Sequence, residues 1–370
     1  MSEEVRVLHI ISTLVSGGVQ SVVLNYAAAV KPYGVVFDYV VQGKGNPEIE
    51  QACLKSGSRI YYLPQMTKHP IRFIFELRKL LRVHREYRIL HTHHNFLNFI
   101  PLFSAFLTKT PVRISHSHMA VKKGTKFKSA IRAMGRWLIL RLGNEFWACS
   151  KEAWFSLYGR LSQKAYILHN SVDKEIYMFK DNERNEYRRN VGVNTTDFVC
   201  ICVATLSERK NQTFLIEIIK ELPSFFKLLL VGDGAIRPQL IDFAKEIGVD
   251  DRVLFLGDRD DVSALLSAAD CFVLPSKAEG LPVSIVEAEM NGLPCVISDC
   301  ISREVDFTGK VWFEPIDGHG INTWKERLLQ IEASHYEHVS PSREVIASSG
   351  YDISVEGKKL AQKYKELLEK

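Results

Sequence analysis

The chain has 370 residues, 46% of them hydrophobic and 25% charged, with 48 Lys+Arg against 43 Asp+Glu and a formal net charge of +5. That length sustains two domains with full cores, and the composition is that of an ordinary soluble globular protein, which excludes collagen-like, disordered and disulfide-built classes. No apolar run approaches the roughly 20 residues of a membrane span, and the seven cysteines are scattered without a C-x-x-C spacing, so a reducing, cytoplasmic setting is the expectation.

In chain order, Glu3 and Glu4 precede VRVLHIIS, which reads as a first strand and lacks the basic, cleavable layout of a signal peptide. Gly17-Gly18 and a helix, SVVLNYAAAV, follow. VFDYVVQ, RIYYLP, RILHTHH and VRISHSH read as further strands, with helices predicted over 71–84 and 128–142. FWACS comes next, and AYILHNSVD reads as an interdomain turn. The second half alternates again: FVCICVATL, a helix over 212–221, KLLLVGDG, a helix over 236–247, VLFLG, a helix over 262–269, CFVLP, a helix over 283–291 and PCVIS. This alternation predicts α/β architecture with two doubly wound domains, 1–170 and 171–353, and a final helix over 354–370. No internal repeat or low-complexity tract interrupts it.

Charge divides the chain unevenly. Residues 1–165 carry 24 Lys+Arg against 9 Asp+Glu, and residues 166–370 carry 24 against 34. In the basic half, Lys122, Lys123, Lys126, Lys128, Arg132, Arg136 and Arg141 run without an acid and interleave with Phe127, Ile131, Met134 and Trp137; Arg78, Lys79, Arg82, Arg85 and Arg88 form a second group. Basic amphipathic helices of this kind suit an anionic membrane surface, and equally a helix packed on its own sheet with solvated cations. No nucleic-acid-binding motif accompanies the charge, so nucleic acid is not an expected partner.

The segment 275–294, PSKAEGLPVSIVEAEMNGLP, is the most specific local signal. An apolar strand stops at Pro275, Pro282 suits the first turn of a helix, and Gly292 and Pro294 close it. Glu279 then lies in the loop ahead of the helix and Glu287 about two turns inside it. Backbone N–H groups near Gly280 and Leu281, with the positive end of the helix dipole, favour a phosphate, and a carboxylate on each side accepts hydrogen bonds from hydroxyls. A nucleotide sugar, with polyol at both ends of a diphosphate, fits that pattern.

Here the sequence resembles retaining glycosyltransferase family 4, whose fold is GT-B: two Rossmann-like domains facing across a cleft. The resemblance rests on the E-x7-E element, Glu279-Gly280-Leu281-Pro282 through Glu287, followed by Gly-Leu-Pro-Cys-Val-Ile. It implies that Glu279 holds the sugar ring, that the Gly280-Leu281-Pro282 backbone meets sugar and phosphates, and that Glu287 holds the ribose. The segment VATLSERKN, 203–211, matches the family's phosphate-binding turn, with Lys210 compensating the departing diphosphate. The family's usual arginine is Thr205 here, and Arg209 is the candidate substitute. Gly17 and Gly18 resemble the family's N-terminal glycine loop; they do not make a G-x-G-x-x-G fingerprint, which argues against a nicotinamide cofactor. Asp258 and Arg259 occupy the loop where related enzymes read the base.

Histidines cluster as His91-Thr92-His93-His94 and His116-Ser117-His118, each after a predicted strand. Such spacing permits a shared cation, but no carboxylate completes either run, and the resemblance implies a metal-independent enzyme without a cofactor. Alignment with the family makes His116 the residue facing the transferred sugar, with His118 the close alternative. The expected activity is transfer of a hexose or N-acetylhexosamine from a UDP-sugar to a polysaccharide or glycolipid hydroxyl, as in bacterial capsule and exopolysaccharide pathways, by front-face displacement. The expected location is the cytoplasm, with peripheral contact to the inner face of the membrane. Two other readings stand: a UDP-sugar epimerase on the same fold, and a non-catalytic nucleotide-sugar-binding subunit assisting a membrane partner.

Overall fold

The computed structural model describes residues 4–15, 17–119, 126–159 and 165–369, with 126–131 as backbone alone. Its strands form two sheets. The first contains β1 (Val5–Ile10), β2 (Val35–Val41), β3 (Ile60–Tyr62), β4 (Ile89–Thr92), β5 (Val112–Ser117), β6 (Glu145–Ala148) and β7 (Tyr166–Ile167), in the order β3-β2-β1-β4-β5-β6-β7. The second contains β8 (Phe198–Val203), β9 (Phe226–Val231), β10 (Val253–Gly257), β11 (Cys271–Leu274), β12 (Cys295–Ser298) and β13 (Val311–Glu314), in the order β10-β9-β8-β11-β12-β13. Every pairing between these strands is parallel.

Parallel strands joined by helical crossovers are covered on both faces, which is why the central strands are continuous apolar runs. All residues of β2, β11 and β12 are buried. The one carboxylate in β2, Asp38, is wholly buried and fully answered. Arg6 grips it through Nε and Nη2 at 2.7 Å each, and the Tyr87 hydroxyl at 2.8 Å and the Arg59 amide at 2.6 Å complete the set.

The chain divides into two compact units, Met1–Ser171 with Ile353–Lys370, and Val172–Asp352. Ser171 and Ile353, expected in the second domain, belong to the first: the Tyr26 hydroxyl bonds Ser171 Oγ at 2.9 Å, and Ile353 opens the final helix, Ile353–Glu369, which packs on the Gly18–Val30 helix. That packing is close enough to require a glycine, since a Cβ on Gly357 would lie 2.5 Å from Ala29 Cβ. The segment expected as a simple interdomain turn contributes β7 to the edge of the first sheet. Several helices were not marked by the sequence pattern, among them Pro47–Lys55, Phe99–Leu107, Asp181–Val191 and Gly320–Ala333.

Candidate active site

In each sheet the strand order reverses beside the first strand, between β1 and β4 and between β8 and β11. Loops leaving the carboxyl ends of adjacent strands diverge there, which opens a crevice suited to ligands. The loop carrying Arg209 and Lys210 follows β8, and the loop carrying Glu279 follows β11. Gly17 and Gly18 follow β1, the first histidine run closes β4, and the second closes β5.

The C-terminal crevice brings three of the expected residues into direct contact. Glu279, only 8% exposed, places Oε1 2.7 Å from Lys210 Nζ and Oε2 3.1 Å from Arg209 Nη1. Arg209 also donates to the Ala278 carbonyl at 3.1 Å, and its own carbonyl accepts the Lys277 amide at 2.9 Å, so the two loops are joined through both backbone and side chain. Buried Gln212 holds the turn from within, donating to the Thr205 carbonyl at 3.1 Å and accepting the Ser207 amide at 3.3 Å. Asn211 takes the left-handed conformation, φ 62°, at the start of the Gln212–Glu221 helix. The Gly232-Asp233-Gly234 loop buttresses this turn from β9; a Cβ on Gly234 would lie 2.1 Å from the Leu206 carbonyl oxygen. Thr205 itself is exposed, while Arg209 reaches the Glu279 carboxylate.

Gly280, Leu281 and Pro282 are buried in the loop ahead of the Val283–Asn291 helix, whose first turn carries no acidic residue and no side-chain cap. Glu287 lies on that helix against the Tyr177 hydroxyl. Burial pushes its carboxyl up to about 7, a rise the Tyr177 hydrogen bond only partly offsets. Arg259 lies in another loop of the same unit. It follows edge strand β10, two strands from β8, and its guanidinium is engaged by Asp261 at 2.6 and 2.8 Å.

In the N-terminal unit the helix begins at Gly18, three residues before the expected start, with Gly17 as an extended N-cap. Among the described residues, a Cβ at Gly18 would meet nothing within 4 Å. His116 stands on β5 among four other buried histidines: His91 and His93 from β4 and the loop after it, His118 after β5, and His9 from β1. Their nitrogens pair at hydrogen-bond distance: His9 Nδ1 to His93 Nε2 at 2.9 Å, His93 Nδ1 to His118 Nε2 at 2.8 Å, and His91 Nε2 to His116 Nδ1 at 3.0 Å. Desolvation lowers all five pKa values, to about 3 for His9 and His118. The trios His9, His91, His93 and His93, His116, His118 each bring ligating nitrogens within 4.8 Å of one another.

His9, Asn98 and Tyr364 had no marker in the sequence. Asn98 is wholly buried and ties the loop after β4 to β5, accepting the His94 amide at 2.6 Å and donating to Ser115 Oγ at 2.8 Å and the His116 carbonyl at 3.1 Å.

Two parallel Rossmann-like sheets, with a cation pair and a carboxylate at the switch point of the second, define a GT-B glycosyltransferase. Comparison with known proteins carries this to the family. Residues 16–176 match the Glycosyltransferase Family 4 model and residues 183–307 match Glycosyl transferases group 1, and the chain belongs to this family. It is 29% identical over 360 residues to the putative glycosyltransferase EpsF of Bacillus subtilis, covering 95% of this chain and 94% of that one. It is 27% identical over 270 residues to the Escherichia coli UDP-Gal:alpha-D-GlcNAc-diphosphoundecaprenol alpha-1,3-galactosyltransferase, covering 66% and 67%. Among solved structures, Anabaena HepE in complex with UDP and glucose superposes with a TM-score of 0.82 at 17% identity, covering 98% of this chain and 100% of that one.

Proposed function

We propose that this glycosyltransferase is a retaining enzyme that transfers a hexose or N-acetylhexosamine from a UDP-sugar to a hydroxyl of a polysaccharide or lipid-linked saccharide. The observation that carries the reading is the Glu279 carboxylate held between Lys210 and Arg209 at the switch point of the second sheet. Oε2 accepts from Arg209, while Oε1 is ion-paired with Lys210 but accepts no hydrogen bond among the described residues, so Glu279 serves as an acceptor for sugar hydroxyls and as a negative charge facing the developing oxocarbenium. The two cations receive the diphosphate as it leaves, supplying in protein charge what a divalent ion supplies elsewhere. The displaced diphosphate takes the acceptor proton on the face it leaves, which requires no pair of carboxylates flanking a glycosidic bond. The names of the relatives support the donor and acceptor classes: the Escherichia coli protein is named for UDP-Gal and a diphosphoundecaprenol-linked sugar, and HepE was solved with UDP and glucose. Acceptor-dependent UDP release across a panel of UDP-sugars tests the reading; release only from sugars of another nucleotide would overturn the donor. Glu279→Gln keeps the shape and should lower kcat/KM about 100-fold, the scale of one preorganised transition-state contact. An unchanged rate would remove Glu279 from the donor site.

We propose further that the N-terminal unit docks on anionic membrane. Three neighbouring helices, Pro70–Val83, Phe99–Leu107 and Lys126–Leu142, expose Phe75 (62%), Phe106 (47%) and Trp137 (57%), each beneath an arginine: Arg78, Arg113 and Arg141. Large apolar side chains capped by cations match the boundary between acyl chains and anionic headgroups. Lys122 and Lys123 lie outside the described residues, as do the side chains of Lys126 and Lys128. No helix among the described residues is long and apolar enough to cross a membrane. Co-sedimentation with phosphatidylglycerol vesicles should fall when Phe75, Phe106 and Trp137 are changed to Ser, at unchanged thermal stability; equal sedimentation of the two proteins would refute the docking face.

A further inference from the structure

The buried histidines form two chains, and one of them ends on His116, the residue expected to face the transferred sugar. Tyr364, on the Ile353–Glu369 helix, sets its hydroxyl 2.8 Å from His91 Nδ1, and His91 Nε2 lies 3.0 Å from His116 Nδ1. His116 Nε2, on a side chain only 1% exposed, meets no partner among the described residues. All three groups are buried, and burial keeps both imidazoles neutral. A neutral imidazole has one N–H and one lone pair, so the proton on any member of the chain fixes the proton on the next.

Only two arrangements satisfy both hydrogen bonds. If Tyr364 accepts from His91 Nδ1, the chain runs inward, His116 carries its proton on Nδ1, and its Nε2 is an unpaired lone pair. The Tyr364 hydrogen is then buried as well, with no other acceptor among the described residues, and two polar groups go unanswered. If Tyr364 donates, His91 passes its Nε2–H to His116 Nδ1, and His116 carries its proton on Nε2. That arrangement also leaves one donor without a partner, the His116 Nε2–H, but its idle acceptor is a phenol oxygen in place of the imidazole lone pair, the weaker base and so the less costly one to leave unpaired. A ligand oxygen reaching Nε2 completes it.

We propose that Tyr364 and His91 are positioning residues that fix His116 as the Nε2–H tautomer, so that His116 acts in the transfer as a hydrogen-bond donor to a ligand oxygen and not as a general base. The tautomer follows from the N-terminal unit alone; the role in transfer rests on the function proposed above. Metal binding is the competing use of the same side chains. The paired nitrogens sit 2.8–3.0 Å apart, the spacing of direct hydrogen bonds, whereas an ion bound at roughly 2.0–2.1 Å from each nitrogen in a tetrahedral site needs them further apart.

The test is a long-range proton–nitrogen correlation spectrum of the full chain carrying 15N-labelled histidine, with His116 assigned by comparison with His116→Gln. In the unaltered protein, His116 Nε2 should read as the protonated nitrogen and Nδ1 as the bare one. Tyr364→Phe removes one oxygen, and should shift His116 toward a mixture of tautomers while lowering kcat about tenfold, the worth of one misdirected hydrogen bond, with KM little changed. A proton on Nδ1 in the unaltered protein overturns the proposal, whether or not the variant folds. A Tyr364→Phe spectrum with the tautomer intact overturns it too. Stoichiometric Zn²⁺ uptake that moves the His93, His116 and His118 nitrogens together would replace the relay with a metal site. The spectrum needs no substrate, so failure of every UDP-sugar would sink the functional reading and leave the tautomer assignment standing.

Discussion

Glu287 carries a carboxyl that burial holds up to about 7, close to half-ionised at neutral pH. In the proposed donor site it accepts hydrogen bonds from ribose hydroxyls, and donors of that kind favour the charged form and pull the pKa down. Nucleotide binding near pH 7 should therefore release a fraction of a proton, and affinity for UDP should rise between pH 6 and 8 and then level. Calorimetry of UDP binding in buffers of different ionisation enthalpy measures the release directly. Glu287→Gln should reduce both the release and the pH dependence to the part that the terminal phosphate of UDP, with its own pKa of about 6, supplies, while lowering affinity. Proton uptake on binding, or a release and pH dependence unchanged in the variant, would take the ribose away from Glu287. The residues in contact at this end of the site were those readable locally: Glu279, Arg209 and Lys210 sit in two short motifs that each follow an apolar strand, and β8 and β11 are neighbours in the sheet. Arg259, expected in the loop where related enzymes read the base, follows edge strand β10 and is engaged by Asp261.

At the scale of elements, the apolar strands and the helices between them were legible because a parallel sheet covered on both faces demands continuous apolar runs. The unmarked helices escaped for physical reasons that differ. Phe99–Leu107, FIPLFSAFL, is apolar nearly all round and shows no amphipathic face; Asp181–Val191, DNERNEYRRNV, is nearly all polar and is anchored by Arg184 and Arg188 on Asp270 rather than by an apolar stripe. The final helix was legible as a helix, but its register against Gly18–Val30, fixed by Gly357 over Ala29, was not. That register is testable. Alanine at 357 gains about 1 kcal/mol of helix propensity over glycine. Its Cβ would however press into Ala29 at 2.5 Å, with Ala29 backbone atoms at 3.2 Å, and overpacking of this kind costs about 1–3 kcal/mol. The clash outweighs the propensity, so Gly357→Ala should lower stability toward chemical denaturant, and adding Ala29→Gly should restore it. A stabilised single variant would mean that the two helices separate at little cost.

At the scale of the whole molecule, the two units answer acid differently. In the N-terminal unit, His9, His91, His93, His94, His116 and His118 are held neutral by desolvation, with pKa values below their ordinary 6.5. The unfolded chain binds more protons than the folded one below that value, so the stability these groups permit is present above pH 6.5 and is lost as pH falls through it. Each costs about 1.4 kcal/mol per pH unit, and six together roughly 8 kcal/mol by pH 5.5, the size of a domain's entire stability. The C-terminal unit has one such group, His338, lowered to about 3, set against Glu287 and Glu289, raised to about 7 and about 8. Those carboxyls bind protons more tightly folded than unfolded; the stability they contribute is present below their ordinary 4.5 and lost as pH rises through 7 to 8, so acidification favours them. The N-terminal unit should therefore open first on acidification. Limited proteolysis with an acid-tolerant protease at pH 7.5 and pH 5.5 reads the difference: new cleavages should fall within 1–171 at the lower pH while 172–352 remains protected. Cleavage of the C-terminal unit first, or equal protection at both pH values, would mean that the histidine cluster takes up protons without unfolding and is wetter than its burial implies.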